Sequence, residues 1–273
     1  MTTIMAFGQW QGAGERFWLA GSLARYLEQA PFPFTEISID STEGAMLAEV
    51  KHLDKILFNI TSQGKALTHH APRRLLTLSC ECSGDIMPIS YFLHRYPDLK
   101  VLWVDAHADL NTPQTSPSGD FHGMPLRVLL GEGPRQVIDM LPGYLKPDQL
   151  GLIGVRDCDL EERCYINSHQ IPLWSELSED DRDDIENFID GRPLYIHLDL
   201  DVLDPAEGGL ALFETPGGLA MGALIAWLES LPQKTDIVGI GLFEYNDPDD
   251  SKRERYARLV EICRRTLDDS AGY

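Results

Sequence analysis

Short apolar runs alternate with amphipathic stretches along the whole chain, and that alternation predicts its elements. After an initial strand from Thr3, apolar residues at helical spacing predict a helix around Glu15 to Leu27, followed by a strand at Phe34 to Ile39. A second helix is expected over Gly44 to Ile60. The polar piece Thr61 to Gly64 and the turn at His69, His70, Ala71 and Pro72 then precede a strand at Leu75 to Cys80. A helix near Ile86 to Arg95 leads into a continuous apolar run, Val101-Leu102-Trp103-Val104, of the kind found in a strand buried on both faces. Thr, Pro, Ser and Gly fill the long loop from Asn111 to Asp120. Beyond it come a short helix near Met124 to Leu130, a strand at Leu150 to Val155, a helix near Leu160 to Ser168, a short strand at Ile171 to Leu173 and a helix at Asp180 to Ile189. Two last strand and helix pairs are expected, Leu194 to Leu198 with Met221 to Leu231 and Ile237 to Phe243 with Ser251 to Leu267. Strand and helix alternate with no tandem repeat and no linker, which calls for one α/β domain over residues 1–273. It is expected to be three-layer α/β/α, with a mainly parallel sheet covered on both faces and a site at the carboxyl ends of the strands.

Composition narrows the function classes. Hydrophobic residues make up 43% and charged residues 24%, as in ordinary globular proteins, and no apolar run is long enough to span a bilayer, so no membrane partner is expected. The first residues lack the basic start and apolar core of a secretory signal, so a cytoplasmic location is expected. The five cysteines, an odd number, do not suit a disulfide framework. A net charge of −20 disfavours nucleic acid and favours attraction of small cations, although acidic surfaces mostly serve solubility.

The chemistry gathers where two predicted strands end. Val101 to Val104 run into Asp105, His107 and Asp109, alternate positions that can face one way. Leu194 to Leu198 run into Asp199 and Asp201, with Asp204 and Pro205 beyond. Carboxylates this dense are costly to bury unless a multivalent cation neutralises them, and oxygen donors with one imidazole suit manganese or a similar divalent metal. A centre with two metal ions is the natural expectation. Asp204 before Pro205 reads as a turn former, and His197 as a core or supporting histidine. His69 and His70 read as solvated loop residues, and His52, His94 and His169 carry no signal.

Five ordered motifs carry a family resemblance. They are Val-Asp-Ala-His-Ala-Asp at 104–109, Ser-Gly-Asp-Phe-His-Gly at 118–123, Ile-Gly-Val-Arg-Asp-Cys-Asp at 153–159, Asp-Leu-Asp-Val-Leu-Asp-Pro at 199–205 and Phe-Glu-Tyr-Asn at 243–246. In order and spacing they resemble the arginase family of ureohydrolases, over roughly Leu75 to Asn246. The resemblance implies a three-layer fold, two manganese ions with a bridging hydroxide, a cationic guanidino substrate and a homo-oligomer, trimeric or hexameric. Position by position it implies that Asp105 and Asp199 bridge the metals, that His107 and Asp201 complete one site, and that Asp109 holds the other metal and orients the hydroxide. His122 resembles the proton shuttle and Glu244 the acid that holds the guanidinium. Asn111, Ser118 and Asp159 match contacts to the amino-acid end of arginine, with Glu162 a further contact to the amine.

Two departures stand out. The family's first metal ligand is a histidine, and Cys82 occupies its place in the turn Ser79-Cys80-Glu81-Cys82-Ser83. Cys82 has three readings: a ligand that shifts preference toward zinc, a buried thiol that leaves one site short, or the mark of a homologue that has lost catalysis. The Cys80 and Cys82 pair is by itself a weak redox signal. Asp120 stands where arginases carry asparagine near the substrate carboxylate; it would repel that carboxylate and favour guanidino amines such as agmatine. The expected activity is hydrolysis of a linear C–N bond in a guanidino compound, releasing urea and an amine. The alternatives are an inactive family member with a binding or structural role and, more remotely, a mononuclear zinc deacetylase.

Overall fold

A computed structural model describes residues 2–207, 209–231 and 235–270. Its elements in chain order are β1 (Thr3–Phe7), α1 (Trp18–Leu27), β2 (Thr35–Glu36), α2 (Leu53–His70), β3 (Leu75–Ser79), α3 (Ile86–Arg95), β4 (Lys100–Val104), α4 (Pro125–Leu129), α5 (Arg135–Ile138), β5 (Leu150–Ile153), α6 (Leu160–His169), β6 (Leu173–Trp174), α7 (Glu179–Ile189), β7 (Leu194–Asp199), α8 (Met221–Ser230), β8 (Ile237–Phe243) and α9 (Arg253–Asp269). The strands form one sheet in the order β2-β1-β3-β8-β7-β4-β5-β6. Every pairing is parallel, which goes beyond the mainly parallel sheet expected.

Side-chain alternation along each strand divides the core in two. Leu102 and Val104 of β4 and Leu194, Ile196 and Leu198 of β7 face the layer that holds α1, α7, α8 and α9. Val101 and Trp103 of β4 and Tyr195 of β7 face the layer of α2 to α6. The central strands β4 and β7 are therefore buried on both sides, which is why their apolar runs are continuous rather than alternating. No helix among the described residues is long and apolar enough to cross a membrane.

The main departure from the expected elements lies between Gly44 and Ala71. Residues 44–52 form a loop because Ala48, Glu49 and His52 all take positive φ, at 49°, 62° and 55°. The loop closes through paired backbone bonds between Leu47 and Val50, 3.0 and 2.9 Å. Asp54 also accepts from Ala45 N at 2.7 Å. Helix α2 starts only at Leu53 and continues through the polar residues read as a loop. Those residues suit a helix because their hydroxyls bond back one turn, Thr61 Oγ1 to Leu57 O at 2.7 Å and Thr68 Oγ1 to Gly64 O at 2.8 Å. His69 and His70 accordingly close a helix rather than sit in a turn. Helix α5 was not expected, β2 keeps only two of the expected residues, and β6 lies further along the chain at Leu173–Trp174.

Candidate functional site

The carboxyl ends of the four central strands, β3, β8, β7 and β4, lie side by side. Each delivers acid or sulfur donors to one point, as expected where strand order diverges in an open parallel sheet. Strand β4 delivers Asp105, His107 and Asp109; β7 ends in Asp199 and Asp201; Glu244 follows β8; and the short 3-10 turn Cys82–Asp85 follows β3.

Local bonds set the geometry. Asp105 accepts from His107 N at 2.6 Å and from Trp103 Nε1 at 3.0 Å, so its carboxylate is locked beneath the loop. Asp201 accepts from Ala106 N at 3.0 Å, and Asp199 accepts from Asp201 N at 2.8 Å. His107 Nδ1 lies 2.8 Å from Asp201 and 3.5 Å from Asp105. The Cys82 thiol donates to Asp199 Oδ2 at 2.9 Å. Asp109 and Glu244 both take the left-handed conformation, φ 51° and 62°, which costs a non-glycine residue on the order of 1–3 kcal/mol. Strain of that size is retained where it aims a side chain.

The electrostatics are those of an acid cluster taken out of water. Burial, reinforced by neighbouring carboxylates, pushes Asp105, Asp109 and Asp199 above the ordinary carboxylate range. Burial and the charges of Asp199, Asp109, Asp105 and Glu244 push the Cys82 thiol well up. His107 is opposed by burial, but its bonds to Asp105 and Asp201 win and hold it protonated. Burial pushes His197 down to about 3. At His122 burial also opposes the charge, yet the hydrogen bond and charge of Glu244 raise its pKa.

A cleft of about 260 Å³ opens over this cluster. It is lined by twelve of the thirteen residues singled out from the sequence; Asp105, only 1% exposed, lies beneath it. His122 Nδ1 sits 3.2 Å from Glu244 Oε1. Asn111 Nδ2 donates to Asp159 Oδ2 at 2.9 Å, and Ser118 Oγ accepts from Asp120 N at 3.1 Å. Glu162 lines the cleft, and its two oxygens also accept from Asp159 N at 2.9 Å and Leu110 N at 2.8 Å, so it ties α6 to the loop after β4. Asp120 has cationic neighbours that no local pattern announces. Its carboxylate is not an isolated charge, because Lys51 Nζ lies at 2.9 Å and Arg16 Nη1 at 3.4 Å.

Reading the sequence missed several contributors. Arg16, which lies 4.5 Å from the centre of the Phe213 ring, comes from before α1, Lys51 from the loop before α2 and Phe213 from beyond β7. No local pattern marks them, since only the fold brings them to the rim. Arg156, by contrast, lies within the motif at 153–159. Its guanidinium donates to the carbonyls of Asp201 at 2.7 Å, Thr215 at 2.7 Å, Gly154 at 3.0 Å and Val202 at 3.3 Å, and so holds the Asp201 turn. Arg156→Ala is expected to lower unfolding stability by about 2–4 kcal/mol, read by denaturant titration, because several bonds to a charged donor go at once. Asp204, as expected, holds a turn by accepting from Ala206 N at 2.7 Å and Gly217 N at 2.8 Å.

Three donor groups of metal-binding spacing occur among the described residues: Cys82, Asp105, Asp109 and His197; Cys82, Asp199 and Glu244; and Asp105, His107 and Asp201. Within this cluster Asp109 Oδ2, His197 Nε2 and Glu244 Oε2 are buried without a hydrogen-bond partner. Buried polar atoms are rarely left so, and a cation would satisfy them. The donor set therefore fits divalent metal.

Known proteins agree with this architecture. Among solved structures, Bacillus subtilis arginase superposes with a TM-score of 0.80 at 25% identity, covering 97% of each chain. Entamoeba histolytica arginase in complex with L-ornithine gives 0.80 at 20% identity, covering 98% of this chain and 97% of that one. In sequence, an arginase of Staphylococcus aureus is 36% identical over 197 residues, 68% of this chain and 65% of that protein. The hepatic arginase of Aquarana catesbeiana is 32% identical over 204 residues, 69% and 62% of the two chains. The chain thus spans just under two thirds of the length of these curated relatives. The sequence model of the arginase family matches residues 25–267. Sheet order, the cluster at the central strand ends and the extent of that match lead to one conclusion, that the chain belongs to the arginase family.

Proposed function

We propose that the chain is a metal-dependent hydrolase that cleaves a linear C–N bond of a guanidino compound, releasing urea and an amine. The observation that carries this reading is the convergence of five carboxylates and one imidazole, from Asp105, His107, Asp109, Asp199, Asp201 and Glu244, beneath one small cleft. In this reading His107 and Asp201 would help to hold one divalent ion, Cys82 and Asp109 the other, and the carboxylates of Asp105 and Asp199 would serve both. Divalent ions held there would acidify water enough to supply hydroxide near neutral pH.

The remaining side chains supply binding and proton transfer. Glu244, whose Oε2 has no partner, receives the guanidinium. Oxygen from water adds to the guanidinium carbon, the bond to the alkyl-bearing nitrogen breaks, and His122 delivers a proton to that departing nitrogen. The contact of His122 with Glu244 puts the proton donor beside the bound guanidinium and favours its charged form. A net charge of −20 adds attraction for a cationic substrate at low ionic strength.

The rim favours a substrate with its own carboxylate. Lys51 and Arg16 offset the charge of Asp120, so the repulsion expected from the sequence is cancelled, while Asn111 and Asp159 stand paired for the amino-acid end. Replacing Lys51 and Arg16 together by alanine is expected to lower kcat/KM for arginine about tenfold more than for agmatine, since only the former loses a counter-charge. Equal losses for the two would remove the rim cations from specificity.

The direct test is urea release from arginine, agmatine and shorter guanidino acids by protein reconstituted separately with manganese, zinc, nickel or cobalt, with the bound metal counted. Turnover of any member with two metals per chain supports the reading. No urea across the panel with two metals bound would favour a silent homologue; one metal or none would point to Cys82 as the interruption, a second reading for which its thiol bond to Asp199 speaks.

A further inference from the structure

We propose that His197 is itself a metal ligand in this chain: its Nε2, with Cys82 and the carboxylates of Asp105 and Asp109, forms one metal site and supplies from β7 the imidazole that the Cys82 turn lacks. The inference rests on the binuclear reading above and adds to it a donor from inside the sheet.

The placement follows from the pleat. Along β7, Tyr195, His197 and Asp199 occupy alternate positions and share a face, so His197 sits one pleat beneath Asp199, at the floor of the acid cluster. Its Nε2 lies 4.0 Å from Asp105 Oδ2. Donor atoms of Cys82, Asp105, Asp109 and His197 all fall within 4.8 Å of one another. The side chain is fully buried, and Nε2 has no hydrogen-bond partner.

The rest of the ring is held as a ligand's ring is held. Nδ1 lies 3.0 Å from Asp85 Oδ2, and the other Asp85 oxygen accepts from the Tyr195 hydroxyl. With its proton on Nδ1 the ring turns a lone pair toward the cluster, the arrangement in which a carboxylate fixes the tautomer and raises the basicity of a metal-binding imidazole. The plane is fixed as well, by Trp103 stacked at 3.4 Å and Phe243 at 4.3 Å between ring centres. Gly241 of β8 makes room for the arrangement: a Cβ there would stand 2.3 Å from the Phe243 ring and 2.6 Å from Asp85 Oδ2.

A histidine that only filled the core would leave Nε2 unsatisfied at a desolvation cost, where a phenylalanine would pack between the same two rings without that cost. Imidazole nitrogen and thiolate sulfur together also change the metal preference. Such a set favours zinc, cobalt or another borderline ion over manganese at this position, while the oxygen-rich site of His107 and Asp201 keeps the ordinary preference.

The test uses the whole chain loaded with cobalt and the metal content counted. Each imidazole bound to paramagnetic cobalt through one ring nitrogen, Nε2 in His197 and Nδ1 in His107, gives a strongly shifted, exchangeable N–H proton signal from the other nitrogen. Two such signals are expected from the wild type, for His107 and His197, and one from His197→Gln. That variant is expected to lose affinity at one of the two sites by at least about tenfold and keep the other. Because the signal count is read on the wild type, it stands even if the variant fails to fold. A single shifted signal from wild type holding two cobalt ions overturns the assignment of His197 and leaves the binuclear reading intact. A chain that binds no cobalt overturns both.

Discussion

Replacing Asp109 by asparagine is expected to reduce urea release by about a thousandfold or more while making the metal-free protein more stable, not less. The loss follows because Asp109 is proposed as a metal ligand whose second oxygen would orient the attacking water, and the neutral amide is a weaker ligand and no base. Asparagine tolerates the left-handed backbone at this position, so no new strain arises. The gain in stability has a definite pH dependence. Burial and the charge of Asp105 raise the folded pKa of Asp109, so the stability its carboxyl contributes is present below the unfolded value near 4 and is lost as pH rises toward the folded value. The variant escapes that loss. Its advantage should therefore be larger at pH 8 than at pH 5, and thermal unfolding of both chelated proteins at the two pH values measures it. A variant less stable at both would mean that Asp109 makes attractive contacts in the metal-free state that outweigh repulsion.

The second large effect is that of metal on unfolding. With free metal about a thousandfold above its dissociation constant, each occupied site adds on the order of 4 kcal/mol, a rise of about 8–16 °C in a chain of this size. Without metal, stability should fall as pH rises above about 6.5. Asp105, Asp109 and Asp199, all with raised pKa values, lose stabilisation in that direction. His107 acts with the same sign, since its folded pKa lies far above the unfolded 6.5 and its contribution is lost as pH rises beyond that value. His197, depressed to about 3, acts with the opposite sign, but only below 6.5. Calorimetry across this range with chelator or with added zinc or manganese separates the two states. A melting temperature unmoved by any divalent ion would sink the binuclear reading.

The sequence by itself determined the sheet class and most of the centre. Continuous apolar runs ending in alternate acids at Asp105 to Asp109 and at Asp199 to Asp201 specify buried parallel strands whose ends gather carboxylates, a set that a cation would neutralise. Short-range chemistry of this kind is legible because strand period and loop position are local. The loop over residues 44–52 was not legible, since its path depends on positive φ at three residues that carry side chains. Nor was the helix through Thr61 and Thr68, whose hydroxyls satisfy themselves within the turn.

Only the tertiary structure decided which charges stand alone. Asp120 looked like a repelling carboxylate until the fold set Lys51 and Arg16 beside it from positions far away in the chain. Glu162 reads from the sequence as a contact to the substrate amine, and only the fold shows that its oxygens also accept from the backbone of Asp159 and Leu110. The sequence marks His197 only as a core or supporting histidine, and its unpartnered nitrogen exists because Asp85, Trp103 and Phe243 from three other segments fix the ring around it. Residue type and spacing fix what a side chain can do. Its charge state and direction depend on partners that loop closure brings from afar, and one-dimensional spacing does not encode those partners.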